Sequence, residues 1–217
     1  MRALVHDLRY AARQLIRAPG FSLVAVLTLG LGIGATSTLF SVVNSVFLKP
    51  RGVAEPDRLV DLYMRSKDFV AGSVSFPDYE DLRDQARTLA GVLAYKLGTL
   101  GYGAADGMRA VWHEAVTGNY FEVLGVAAAL GRTFAPEDDV EGAPPVAVVS
   151  DRFYRRELGA SPAVIGGSIR LNGRPFTVIG VAPADFSGMI RGLVPDVWIP
   201  AASNSVLYPG STQLSAR

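Results

Sequence analysis

The residues with which this chain could do chemistry are few, and their spacing does not favour it. Its two histidines, His6 and His113, are far apart in sequence, and neither sits in an HxxxH or HExxH arrangement that would put two metal ligands on one helix face. His113 is therefore expected to be a structural or surface residue. Four acids fall in "PEDDVEG" (136–142), but a calcium loop needs regularly spaced oxygens and a distal glutamate. A solvated turn is the expectation there. Asp78 with Glu80 or Asp81 could form an acid–base pair, yet acids at a helix N-terminus explain them already. Serines occur without G-x-S-x-G and without a histidine partner. The chain has no cysteine, which removes disulfides, cysteine-ligated zinc and thiol nucleophiles. It also lacks G-x-x-x-x-G-K-[ST], so no Walker A loop holds ATP. No catalytic, cofactor-binding or metal-ligating residue is nominated, and no cofactor is expected.

One glycine motif competes for a different reading. "GLGIGA" (30–35) fits the dinucleotide fingerprint G-x-G-x-x-A, with Glu55 and Asp57 further on to meet a ribose. In that reading "FSLVAVLTL" is a buried strand and "ATSTLFSVVNSVFL" a helix. Such a helix needs a solvated face, and this one has no charge on any side. No second βαβ half follows.

The element that carries the motif is better read as a membrane span. Residues 18–48 contain no charged residue, and a bilayer crossing takes ~20 apolar residues. Residues 21–48 as one helix would be about 42 Å long, which calls for tilt or interfacial ends. A cleaved signal peptide fits poorly, because its apolar region is only ~7–15 residues and a small-residue cleavage site should follow. At about 100° per residue, Gly30, Gly34, Ser37, Ser41, Asn44 and Ser45 share one side, and Ile33, Leu39, Phe40, Val43, Val46 and Phe47 lie off it. Small residues let a second helix approach, and serine and asparagine can bond across the contact. The stripe predicts a packed helix whose partner is nowhere else in the sequence.

Ahead of the span, residues 1–20 place Leu4, Val5, Leu8, Ala11, Ala12, Leu15 and Ile16 at helical spacing, opposite Arg2, Arg9, Arg13 and Arg17. This reads as an amphipathic helix on the membrane surface, stopped at Pro19. Lys49, Arg51, Arg58, Arg65 and Lys67 on the far side bring the positive-inside count close to a tie. The net charge of +1, with no basic run interleaved with aromatics, argues against nucleic acid as a partner.

Residues 49–217 alternate strand and helix signals, predicting an α+β domain. Strands are expected in "RLVDLYM" (58–64), "GVLAYKLGTLGYG", "MRAVWHEAVT", "PPVAVVS" and "PDVWIPA". Helices are expected in "SFPDYEDLRDQARTLAGV" (75–92), "NYFEVLG" and "DRFYRREL". "SIRLNGRPFTVIGVA" predicts a hairpin turning at Asn172-Gly173.

The assembled segments resemble a family. "GIGATSTLFSVVNSVFLKP" is similar to the first span of FtsX-type ABC transporter permeases. "SFPDYEDLRDQARTLAGVLAY", "VTGNYFEVLGVAAALGRTFAPEDD" and "VAVVSDRFYRRELGASPAVIGGSIRLNGRPFTVIGVAPADF" resemble the MacB-like periplasmic core domain, nearest the duplicated orphan permease group. The opening "LRYAARQLIRAPGFSLVAVLTLGLGIGA" also matches that group. The resemblance implies a cytoplasmic N-terminus (1–20), one transmembrane helix (21–48) in the cell inner membrane, and a periplasmic domain (49–217). That domain would have a porter-like part at about 55–130 and a second lobe at about 131–200. It further implies three later helices beyond Arg217, so the chain is expected to be truncated. A cytoplasmic ABC ATPase and other permease helices or a second permease half are the implied partners, and no catalytic residue carries over. The function expected is the N-terminal part of a permease that couples ATP hydrolysis to periplasmic motion, for export or mechanotransmission. The alternative is a single-span anchored periplasmic binding or scaffold module. A membrane-tethered enzyme would need a catalytic cluster that the sequence does not offer.

Overall fold

The computed structural model describes residues 6, 16–43, 52–65, 72–103, 107–190 and 192–208. They fall in two compact units, Met1–Lys49 and Pro50–Arg217.

In the first unit a helix, α1, runs over Pro19–Val43. Its first residue is proline, whose missing N–H costs nothing at a helix start. The helix exposes its apolar side chains all round, Phe21, Leu27, Leu31 and Phe40 among them, and Pro19–Ser41 is long and apolar enough to cross a membrane. Its threonines are satisfied locally. Thr28, Thr36 and Thr38 donate their hydroxyls to the carbonyls of Val24, Gly32 and Gly34 at 2.7–2.8 Å. A helix in hydrocarbon needs that internal satisfaction. Of the expected amphipathic helix only His6, Ile16, Arg17 and Ala18 lie near its ends within the described residues, together with Pro19 and Gly20.

The second unit is built on one sheet. Helix α2 (Phe76–Gln85) precedes β1 (Tyr95–Tyr102) and β2 (Arg109–Val116). Then follow α3 (Tyr120–Val123), β3 (Leu130–Gly131), β4 (Val146–Val149) and α4 (Asp151–Glu157). The chain continues through β5 (Ser168–Leu171), β6 (Arg174–Val181), β7 (Val197–Pro200) and α5 (Asn204–Leu207). The strand order is β3-β6-β4-β7-β2-β1-β5, and β5 pairs back onto β6. β1 reaches β5 through the single pair Tyr102↔Leu171, so six strands close into a ring with β3 attached outside on β6. The sheet takes β1 and β2 from before residue 130 and the other strands from residue 130 onward.

Alternation along the strands sorts side chains to two cores. Leu100, Val111, Ala147, Val149, Leu171 and Val197, one or more from each of five strands, share a cluster with Phe176 of β6 and with Phe153 of α4. On the other face Val116, Val148 and Trp198 pack under Phe121, Phe134 and Phe186. β4 and β7 are buried at every position because both of their faces are covered. That is why they read as unbroken apolar runs.

Local chemistry sets the turns. Asn172 and Gly173 both have positive φ (47° and 75°), as a two-residue hairpin turn with the sheet's twist requires. The Asn172 side chain accepts from the Gly101 amide at 2.7 Å, tying this hairpin to β1. Ser75 caps α2 by accepting from the Asp78 amide, and Ser150 caps α4 by accepting from the Phe153 amide.

Two expectations need correction. The α2 helix ends at Gln85 rather than running to residue 92, with the Ala86 amide closing on the Leu82 carbonyl. The expected strand at 58–64 forms no ladder. A 3-10 turn at Pro56–Arg58 leads into a segment whose one bridge among the described residues is Met64↔Gly72. β-Structure needs a partner strand, and none of the described strands lies along this one.

Candidate functional site

Three features of the molecule combine unusual chemistry or unusual exposure: a buried carboxyl, a groove of mixed lining and helix α1.

The carboxyl is Glu114, fully buried on β2. In register with it on β7 stands Trp198, whose indole Nε1–H donates to Glu114 Oε2 at 2.8 Å. The Tyr120 hydroxyl, from the start of α3, donates to the same oxygen at 2.8 Å. Gly188 brings a loop close over the group: at φ 74° it occupies the left-handed region, and a Cβ there would stand 3.0 Å from both carboxylate oxygens. Burial pushes the Glu114 carboxyl above its ordinary value, while bonds from Tyr120 and Trp198 pull it back. The backbone amides of Met189 and Ile190 pull the same way without meeting hydrogen-bond geometry, and Oε1 has no hydrogen-bond partner among the described residues. Burial first, and then the carboxyl itself, raise Tyr120 well above the usual phenol range. Glu114 thus ties β2, β7, α3 and a loop together from inside an aromatic cluster.

The sequence did not single out Glu114. The available signal was an acid at a position of β2 whose alternation, with Val116 next on that face, calls for an apolar side chain. Its neighbour His113 points to the opposite face and is also buried. Burial drives its pKa down to about 4, and its Nδ1 has no partner among the described residues. Gly98 makes room for the ring, since a Cβ there would come 2.5 Å from Cε1. The structural role expected of His113 is the one this packing describes.

The acids of 136–142 are not simply a solvated turn, which corrects the expectation. Asp138 holds Arg132 through two bonds of 2.5 and 2.9 Å and accepts from the Ala135 amide at 2.8 Å. The Arg132 bond is the main cause that lowers its pKa. Asp139 accepts from the amides of Gly118 at 2.9 Å and Ala202 at 2.8 Å, joining the turn before α3 to the segment after β7. Burial raises its carboxyl, opposed by those amides. Asp78 accepts from the Ser75 hydroxyl at 2.5 Å, and its amide donates to the Ser75 cap at 3.2 Å. Among the described residues no group of three or more His, Asp or Glu is placed to hold a metal ion.

The groove is a cavity of about 670 Å³ lined by Leu59, Leu62, Tyr63, Tyr79, Leu89 and Tyr95 among others. Met189, on the loop over Glu114, also reaches it. Asp61 lies 3.5 Å from the Tyr95 hydroxyl. Burial, then Asp61 and Tyr63, push Tyr95 up to about 12.

On α1, the stripe residues Gly30, Gly34, Ser37 and Ser41 fall within the helix, and Asn44 and Ser45 lie outside the described residues. A Cβ at Gly30 or Gly34 would meet nothing within 4 Å, so both positions are open to a neighbour.

A mixed α+β domain following an apolar helix is an arrangement of ABC permease periplasmic regions, and comparison with known proteins places the fold there. The model of the MacB-like periplasmic core domain matches residues 22–216, and the chain belongs to that family. It is 34% identical over 97 residues, 45% of this chain, to the macrolide export ATP-binding/permease protein MacB of Burkholderia thailandensis. It spans 15% of the length of that relative. The fold is shared with the periplasmic region of MacB from Actinobacillus actinomycetemcomitans at a TM-score of 0.51 and 19% identity, covering 64% of this chain and 60% of that one. It is likewise shared with the extracellular domain of the noncanonic ABC-type transporter YknZ from Gram-positive bacteria, at 0.51 and 18%, covering 67% and 73%.

Proposed function

We propose that this chain is the N-terminal part of an ABC transporter permease, in which ATP hydrolysis by a cytoplasmic ABC ATPase moves the periplasmic domain. The observation that carries the reading is the sequence of elements. A helix with apolar side chains exposed on all sides leads into a domain of the MacB-like periplasmic family. In this reading residues 1–20 are cytoplasmic, 21–48 cross the inner membrane once, and 49–217 lie in the periplasm. A porter-like part at about 55–130 and a second lobe at about 131–200 would share the sheet. The stripe of Gly30, Gly34, Ser37, Ser41, Asn44 and Ser45 packs against other permease helices or a second permease half, since small residues permit close approach. The ATPase is a separate partner, and this chain performs no catalysis.

The test is nucleotide-driven motion. The full chain would be co-expressed with a MacB-type ABC ATPase domain, placed in lipid nanodiscs, and labelled at Ser73→Cys with an environment-sensitive fluorophore. The absence of natural cysteine makes the label unique. An ATP-dependent change in emission, lost when a catalytically dead ATPase is used, is the expected result. Emission that ignores ATP would favour a static anchored scaffold.

A further inference from the structure

The loop after β6 lies over a carboxyl that it does not hold. Glu114 is wholly buried, and both of its side-chain donors, the Tyr120 hydroxyl and the Trp198 indole, reach Oε2 at 2.8 Å. Oε1 is left without a partner among the described residues. The backbone beside the group comes from Gly188, Met189 and Ile190. At Gly188, with φ 74°, a Cβ would stand 3.0 Å from both carboxyl oxygens, so glycine is what brings the main chain this close. The next two amides, of Met189 and Ile190, act on the carboxyl without reaching hydrogen-bond geometry. Successive N–H groups turned toward one point make a concavity that binds anions, and an ionised acceptor makes bonds roughly twice as strong as a neutral one. Met189 also lines the groove and packs against the aromatic cluster around Trp198. The titratable groups that face the carboxyl are Tyr120 from α3 and Tyr95 from β1, and burial keeps both phenols neutral across the ordinary pH range. β7 contributes Trp198, and β2 contributes Trp112 and Val116 on that face, none of which titrates. His113 points to the other face.

We propose that Glu114 is a proton-controlled latch on the loop Gly188–Ile190. Ionised, its Oε1 accepts from the Met189 and Ile190 amides and draws the loop down; protonated, it releases them. The described arrangement is the released one. Deprotonation sends the proton to solvent and leaves a carboxylate bonded at both oxygens, Oε2 to side chains and Oε1 to main chain. Latching moves the Met189 backbone toward β2, and the wall of the groove changes with it. The inference stands on the Glu114 site and on no part of the permease reading.

The test is amide hydrogen exchange of the full chain in nanodiscs, read residue by residue from about pH 5 to about pH 9, with each rate divided by its intrinsic rate at that pH. Protection of the Met189 and Ile190 amides should rise about tenfold or more from the acid to the alkaline end. Glu114→Gln keeps acceptors but cannot ionise, and should hold both amides at one level of protection throughout. A pH-insensitive fluorophore at Ser73→Cys, in the groove wall, should shift its emission over the same range in the parent and not in the Gln variant. Trp112→Phe leaves Trp198 as the single tryptophan, whose emission reports ionisation of Glu114 independently. Trp198 emission that titrates while Met189 and Ile190 gain no protection would overturn the latch, because the carboxyl would then ionise without drawing the loop. Equal pH-dependent protection in Glu114→Gln would overturn it as well, and so would emission and protection that are both flat. No ATP or ATPase enters the experiment, so failure here leaves the permease reading separately testable.

Discussion

The strand ring and the strip at residues 52–92 belong to one compact unit but sit at opposite ends of satisfaction. In the ring each strand finds neighbours on its edges, and Val148, Val197, Trp198 and Ile199 are wholly buried. In the strip, Val60, Leu62 and Tyr63 have similar apolar or strand-forming character and remain exposed. The difference is not composition but partnership. A strand sequence without a pairing strand among the described residues leaves its surface open.

That comparison can be broken by substitution. Trp198→Ala removes a side chain that fills the outer core and donates to Glu114, and should cost about 3–5 kcal/mol of unfolding free energy. Leu62→Ala should change stability by no more than about 0.5 kcal/mol. Pulse proteolysis of the full chain in urea measures both, and equal costs would mean that the strip is as tightly packed as the ring.

Glu114 sharpens the contrast from inside the ring. Glu114→Ala leaves the Tyr120 hydroxyl and the Trp198 N–H without an acceptor and should cost about 2–4 kcal/mol. Glu114→Gln keeps an acceptor for both and should cost about 1 kcal/mol by the same assay. A similar loss for both variants would show that volume, and not hydrogen bonding, sets the cost.

The two buried groups on β2 also give opposite pH dependences. His113 has a folded pKa depressed to about 4 from 6.5, so the unfolded chain takes up its proton first. Stability from this group is whole above about pH 6.5 and falls as pH drops toward 4, by up to about 3 kcal/mol. Glu114 has a folded pKa raised above 4.5, so its contribution is present below that value and is lost as pH rises through the folded pKa. His113→Leu should flatten the acid side of the stability profile and Glu114→Gln the alkaline side. Urea titrations across pH 4–8 read both, and unchanged profiles would show that the groups are solvated.

How much of this was legible beforehand follows from the range of the interactions involved. The runs at β4 and β7 and the Asn172-Gly173 turn depend on neighbours within a few residues, and local pattern exposed them. The ring closure through Tyr102↔Leu171 and the Glu114–Trp198 bond join residues far apart in sequence, and no local pattern announces them. Residues 59–64 were readable as a strand by composition, while the absence of a ladder to any described strand was a tertiary fact. The small-residue stripe was visible in the sequence, and a Cβ at Gly30 or Gly34 meets nothing within 4 Å. If the stripe packs against other helices, Gly34→Leu should weaken self- or partner-association of α1 in a membrane two-hybrid assay by about 1–2 kcal/mol. Unchanged association would leave α1 as a plain anchor.

The most direct test of the whole account is the topology of the full chain in intact cells. Because the sequence has no cysteine, His6→Cys and Ser73→Cys can each be probed alone with a membrane-impermeant maleimide after the outer membrane is opened. Labelling at residue 73 with protection at residue 6 until the inner membrane is lysed is the expected result. Equal labelling of both positions, or the reverse pattern, would contradict a permease segment with its N-terminus inside and its domain in the periplasm.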